Sequence, residues 1–152
     1  MKIHFVDSNV FYYHLLQDKE HGESATNILN TIKEGEESAI SVIIISEFVS
    51  LFEFRILQTQ KRGDLSQGEK DFVIGRFKEA ISSFYDLISS LASLRKLDCN
   101  WDDVIRAYTY RTKYRLDLND ALNVAIMERN GIDHLYSFDK AFDNVPWIKR
   151  EH

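Results

Sequence analysis

The chain has 152 residues, 44% hydrophobic and 28% charged, the composition of one soluble globular domain over residues 1–152 that buries roughly 70% of its unfolded surface. A single cysteine, Cys99, excludes an intrachain disulfide framework and a cysteine-based zinc site and fits a reducing, cytoplasmic compartment, while no apolar run reaches membrane-spanning length and no secretion signal opens the sequence. Lys and Arg number 19 against 24 Asp and Glu, and the resulting net charge of −5, taken alone, argues against a nucleic-acid partner.

Lys2–Asp7 reads as a first β-strand that ends in Asp7-Ser8-Asn9, polar residues able to cap a helix over Val10–Gln17. Ala25, Ile28, Leu29 and Ile32 recur at helical spacing and predict a helix over Glu23–Lys33, with Gly35 just past its end. Ala39–Ile43 is an uncharged, β-branched run that predicts a strand buried on both faces, followed by a helix from Ser46 and Glu47 to about Gln60.

Lys61–Gly68 is the clearest loop, and Ser66 with Glu69 fits a capping box at the head of a long helix. That helix turns back on the preceding one to form a helical hairpin in the middle of the chain. Leu94–Leu97 reads as a third strand, and Asn100 caps a helix over Trp101–Lys113. Asp117 caps a helix over Ala121–Arg129 that Gly131 ends, and His134–Ser137 and Trp147–Arg150 are two final short strands. Short apolar strands alternating with helices specify an α/β fold with a parallel sheet covered on both faces.

In such sheets ligands bind beyond the C-terminal ends of the strands. Asp7 ends the first strand, Glu47 lies in the first turn of the helix after the second, Asp120 starts the helix before the fourth, and Asp139 follows the fourth. Each has a structural explanation as a cap or a turn residue. Together they are costly, because at 4 Å and an effective dielectric of about 20 each like-charge pair costs about 4 kcal/mol. Converging carboxylates persist if protonated or if they share divalent cations, and an all-oxygen set favours Mg²⁺ or Mn²⁺ over zinc. Phosphodiester chemistry uses such a cluster.

Four blocks stand in order along the chain, Ile3–Asn9, Ser41–Glu47, Leu118–Ala125 and Leu135–Phe142. Together they resemble the PIN-domain ribonucleases, and most closely the VapC-like toxins of bacterial and archaeal toxin–antitoxin pairs. The resemblance implies a Rossmann-like α/β/α sandwich and a pocket in which Asp7, Glu47, Asp120 and Asp139 hold Mg²⁺ or Mn²⁺, supported by Asn9 and Ser137. It implies RNA hydrolysis, with Asp7 and Asp120 as central ligands, Asp139 assisting and Glu47 holding metal through water or acting as a base. A small antitoxin protein is the implied partner. Asp117 and Asp143 are near the pocket without being assigned as ligands. The chain differs from the compact toxins in its longer Arg55–Leu91 region.

RNA also needs positive surface. Arg106–Arg115 supplies Arg106, Arg111, Lys113 and Arg115 with Tyr108, Tyr110 and Tyr114, which suits phosphate contacts and base stacking, against the alternative of a helix with one solvated and one buried face. Phe48, Phe52 and Phe54 exceed one buried stripe and leave a homodimer or antitoxin surface open beside the core reading. The five histidines form no ligand spacing along the chain.

Four other readings compete. A haloacid-dehalogenase-type phosphatase requires a second Asp where Asn9 stands, and a receiver domain requires paired acids at the first strand. A non-catalytic PIN-like scaffold binding RNA or protein, and an RNA-processing nuclease outside any toxin–antitoxin pair, both stay open. With the four pocket acids set aside, the remaining acids nearly match the 19 basic residues, so the net charge no longer opposes RNA.

Overall fold

The computed structural model describes residues 2–152. Five short strands form one sheet: β1 (His4–Val6), β2 (Ser38–Ser41), β3 (Leu94–Leu97), β4 (His134–Tyr136) and β5 (Lys149–Glu151). Their order is β3-β2-β1-β4-β5, and every neighbouring pair is parallel. β1 and β2 are buried throughout, whereas the edge strands β3 and β5 carry Arg95, Lys96, Lys149 and Arg150, charges that blunt pairing with a further strand.

Six helices flank the sheet, in keeping with an α/β/α sandwich: α1 (Ser8–Leu15), α2 (Gly22–Lys33), α3 (Val42–Gln60), α4 (Gln67–Ser90), α5 (Trp101–Tyr114) and α6 (Leu118–Arg129). A 3₁₀ turn over Lys140–Asn144 precedes β5. The helices pack as successive pairs, α1 on α2, α3 on α4 and α5 on α6. Among the described residues no helix is long and apolar enough to cross a membrane.

Local signals account for most boundaries. Ser66 accepts from Glu69 N at 3.2 Å while the Glu69 carboxylate accepts from Ser66 N at 2.7 Å, the reciprocal box that starts α4. Asn100 and Asp103 do the same for α5, and Asp117 accepts from Asp120 N at 2.8 Å to start α6. Gly131, at φ +66°, turns the chain out of α6 into β4 in a conformation a side chain would strain.

One boundary moves in a way that matters. The expected strand over Ala39–Ile43 stops at Ser41, because the Ser41 hydroxyl accepts from Ile43 N and Ile44 N at 3.1 and 3.3 Å and caps α3 there. Val42 and Ile43 are therefore helical despite their β-branching, and Glu47 lies in the second turn of α3 rather than the first. Smaller shifts occur at α1, which begins at Ser8, and at β5, which pairs with β4 from Lys149 rather than Trp147.

The helical hairpin is locked to the core by aromatics. Phe48 stacks on Phe84 with ring centroids 4.0 Å apart, Phe11 meets Phe84 edge-on at 5.2 Å, and Phe52 contacts Phe48 at 4.9 Å. Phe48 and Phe52 are thus fully buried and form no docking surface; of the three aromatics in that helix only Phe54 is exposed. Between α5 and α6, buried Asp103 accepts a forked pair of bonds from Arg129 at 2.9 Å, and Arg129 also reaches the Asp98 carbonyl at 2.8 Å.

Candidate active site

β1 occupies the centre of the sheet and delivers Asp7 to its C-terminal end, where the backbone turns into α1. The Asp7 carboxylate accepts from Ser8 N at 2.7 Å as the helix cap, and its second oxygen accepts from Ser137 Oγ at 2.6 Å. Ser137 follows β4, the strand beside β1. Its hydroxyl also accepts from Asp139 N at 3.0 Å and from Asn9 Nδ2 at 3.3 Å, while Asn9 Oδ1 accepts from Phe138 N at 3.4 Å. Asn9 and Ser137 therefore hold the ends of β1 and β4 in fixed relation around Asp7.

Ser8 bridges the first two acids. Its hydroxyl donates to Glu47 Oε1 at 3.0 Å and lies 3.5 Å from Asp7 Oδ1. The other Glu47 oxygen, Oε2, is buried without any hydrogen-bond donor. Asp120 projects from the first turn of α6, and Asp139 caps the 3₁₀ turn through Ala141 N at 2.8 Å. These acids, with Asp117, line one cavity of about 320 Å³ whose walls include Tyr12, Tyr13 and Leu51. The four residues expected to converge do so. Asp143 does not, because it forms an ion pair with Arg150 at 2.8 Å.

No basic side chain lines the cavity among the described residues, and the carboxylates respond to one another. Burial pushes Asp7 up to about 6, with the Asp139 charge adding to it and the Ser137 and Ser8 bonds opposing. Burial and then the Asp7 charge push Glu47 up to about 7. Burial, followed by the charges of Asp117, Asp7, Glu47 and Asp139, pushes Asp120 up to about 8. An uncompensated acidic cavity with an orphaned carboxylate oxygen fits a hard divalent cation, for which oxygen donors alone suffice.

The basic stretch divides. Arg111, Lys113 and Arg115 are exposed towards the end of α5, two residues or more before Asp117 of the cavity wall. Arg106 is paired with Glu128 at 3.2 Å, and Tyr110 donates to the same carboxylate. Tyr114 is buried, so of the three tyrosines expected to stack bases only Tyr108 stands fully free. The bridging role of Ser8 was not anticipated, although the polar Asp7-Ser8-Asn9 run carried its signal. A second cluster, His4, His134 and Glu151, was also unforeseen, because it exists only through strand register.

Residues 4–148 match the PIN domain family. Ribonuclease VapC13 of Mycobacterium tuberculosis is 35% identical over 80 residues, which cover 52% of this chain and 60% of the relative, so the alignment spans less than two thirds of that protein. Ribonuclease VapC6 of Methanocaldococcus jannaschii is 27% identical over 151 residues, covering 95% and 94% of the two chains. Among solved structures, the Sarcin-Ricin loop cleaving toxin VapC20 of Mycobacterium tuberculosis superposes with a TM-score of 0.64 at 15% identity over 93% of each chain. VapBC2 from Rickettsia felis, bound to a DNA fragment from its promoter, gives 0.60 at 17% identity over 98% and 97%. At those identities the structural likeness establishes the fold.

Proposed function

The chain belongs to the PIN domain family, and from that premise we propose that it is a Mg²⁺- or Mn²⁺-dependent endoribonuclease, the toxin of a toxin–antitoxin pair. The observation that carries the reading is the convergence of Asp7, Glu47, Asp120 and Asp139 on one cavity that contains no cationic side chain. Relatives named VapC ribonucleases support the activity, and the VapBC assembly of the Rickettsia structure supports a small antitoxin partner.

Asp7 and Asp120 would hold the ion, with Asp139 and Glu47 completing the oxygen set. A bound divalent ion there supplies charge neutralisation at the scissile phosphate and a lowered pKa for attacking water. Ser137 and Ser8 aim both Asp7 oxygens, so that carboxylate is positioned before any ligand arrives. Glu47 would hold the ion through water or accept the proton of the attacking water. Arg111, Lys113 and Arg115 would carry the RNA backbone towards the cavity from the end of α5.

A homodimer of this chain would form through α5, where Trp101, Val104, Ile105 and Tyr108 make an exposed apolar stripe at helical spacing, with Trp101 74% and Tyr108 79% accessible. Ile105→Glu should convert a dimer to monomer in light scattering; a wild-type chain that is already monomeric would refute the assignment.

The central test is cleavage of labelled RNA with Mg²⁺ or Mn²⁺ against an EDTA control. Asp7→Asn should keep the fold and lose cleavage by at least about 100-fold. Cleavage at the wild-type rate by that variant would end the metal reading. RNA retention without any cleavage in either ion would favour the scaffold.

A further inference from the structure

We propose that His4, His134 and Glu151 form a second, separate cation site, of the two-histidine, one-carboxylate type that takes Zn²⁺. His4 pairs with His134 in the β1–β4 register, and Tyr136 pairs with Glu151 in the β4–β5 register. Because side chains alternate along a strand, His4, His134 and Glu151 share one face of the sheet. His4 Nε2 lies 3.3 Å and His134 Nδ1 lies 2.8 Å from the same oxygen, Glu151 Oε1, and one ligand atom from each of the three residues lies within 4.8 Å of the other two. Ligands held at about 2.0–2.2 Å around a tetrahedral ion stand about 3.3–3.6 Å apart, so the His4–Glu151 separation already fits and the His134–Glu151 pair would open by less than about 1 Å to admit the ion.

The site is also pre-ordered. His4 is 3% exposed, its ring stacked on Tyr136 at 4.2 Å and met edge-on by His134 at 5.3 Å. Glu36 Oε1 stands 2.7 Å from His4 Nδ1, although off the line of its N–H, and accepts from the Tyr136 hydroxyl at 2.8 Å. Glu36 makes no hydrogen bond to that nitrogen as it stands; a small turn of its carboxylate would let it accept from Nδ1–H, the outer contact that fixes the tautomer of a metal-binding histidine. His134 and Glu151 are partly open to solvent, giving an ion a way in and a fourth position for water. Lys2, 2.9 Å from Glu151 Oε1, is half-exposed and free to swing aside. Imidazole nitrogen favours zinc here, whereas the all-oxygen cavity at the other end of these strands does not.

Bound there, Zn²⁺ would tie β5, a three-residue edge strand, to the centre of the sheet. The test uses the full chain carrying Asp7→Asn and Asp120→Asn, so that the acidic cavity does not compete. Calorimetric titration of the metal-free protein with Zn²⁺ should give one site per chain, and X-ray absorption of the loaded protein should count two imidazoles. Adding His134→Ala should abolish the site, and Glu36→Gln should weaken it roughly 10–100-fold. An absence of Zn²⁺ binding, binding indifferent to His134→Ala, or an all-oxygen coordination shell would each overturn the proposal. If His134→Ala fails to fold, the imidazole count decides.

Discussion

Ser137 and Asp7, 130 residues apart in sequence, are joined by a hydrogen bond of 2.6 Å that links the ends of two adjacent parallel strands. The bond stabilises the charged form of a carboxylate that burial, even against this bond, holds up at about 6. Ser137→Ala should therefore raise the Asp7 pKa further and weaken Mn²⁺ binding near neutral pH by roughly 10–100-fold. The loss should shrink as pH rises, since alkali ionises Asp7 without help. A pH-independent loss in a Mn²⁺ titration would point instead to a collapsed cavity.

Asp120 sits against the charges of Asp117, Asp7, Glu47 and Asp139. Asp120→Asn removes that repulsion while keeping the shape of the side chain. Metal-free Asp120→Asn should melt at a higher temperature than the wild type at pH 8, yet lose cleavage. The opposite signs are informative: a lowered melting temperature would mean that Asp120 stabilises the fold and that the cavity is not built around an absent counter-charge.

The pH dependence of stability follows with a definite sign. Asp7, Glu47 and Asp120 hold their protons to about 6, 7 and 8 in the folded chain, above their ordinary values of 3.8, 4.5 and 3.8. Over that window the folded state binds more protons than the unfolded one, so their contribution is fully present below the ordinary values and is lost as pH rises. Each unit of upward shift corresponds to about 1.4 kcal/mol. Denaturant melts of the metal-free chain should thus show stability falling between pH 5 and 8, on the order of a few kcal/mol. Mn²⁺ at 100 times its Kd should return about 2.7 kcal/mol. A flat profile would contradict the crowded-carboxylate account.

These relationships were unequally legible in the sequence. Helix starts at Ser66, Asn100 and Asp117 could be read directly, because a cap is a local hydrogen bond between residues three apart. So could the convergence of four acids, because parallel strands bring their C-terminal ends to one edge. The Ser41 cap was hidden by the β-branched run behind it, where propensity and capping disagree and capping prevails. Phe48 and Phe52 could have faced a partner as readily as the core, since helical spacing alone does not say which face is covered. The His4–His134–Glu151 cluster was illegible because it depends on register between three strands distant in sequence.

Arg129 pairs with Asp103, whose burial opposes ionisation but whose bonds to Arg129 and to the Asn100 backbone hold its carboxyl below the usual range. Removing the cation leaves a buried charge uncompensated. Arg129→Met should cost about 3–5 kcal/mol in a denaturant melt. Adding Asp103→Asn should recover part of that loss by removing the charge. If the double variant is no more stable than the single one, the contribution of Arg129 lies in its bond to the Asp98 carbonyl rather than in the ion pair.

The end of α5 offers a way to separate RNA contacts from architecture. Arg111 and Arg115 are exposed, whereas Arg106 already has Glu128 as its partner at 3.2 Å. If Arg111 and Arg115 each neutralise one phosphate of a single strand, their joint replacement by Glu should reduce the slope of log K against log salt by about 1.4. Arg106→Glu should change that slope far less, because the charge it removes is already compensated. Binding should be measured in the inactive Asp7→Asn background, over a salt series, by fluorescence anisotropy. Equal effects from all three positions would mean that the helix acts through its overall charge, and unchanged binding would return Arg106–Arg115 to a solvated helix face.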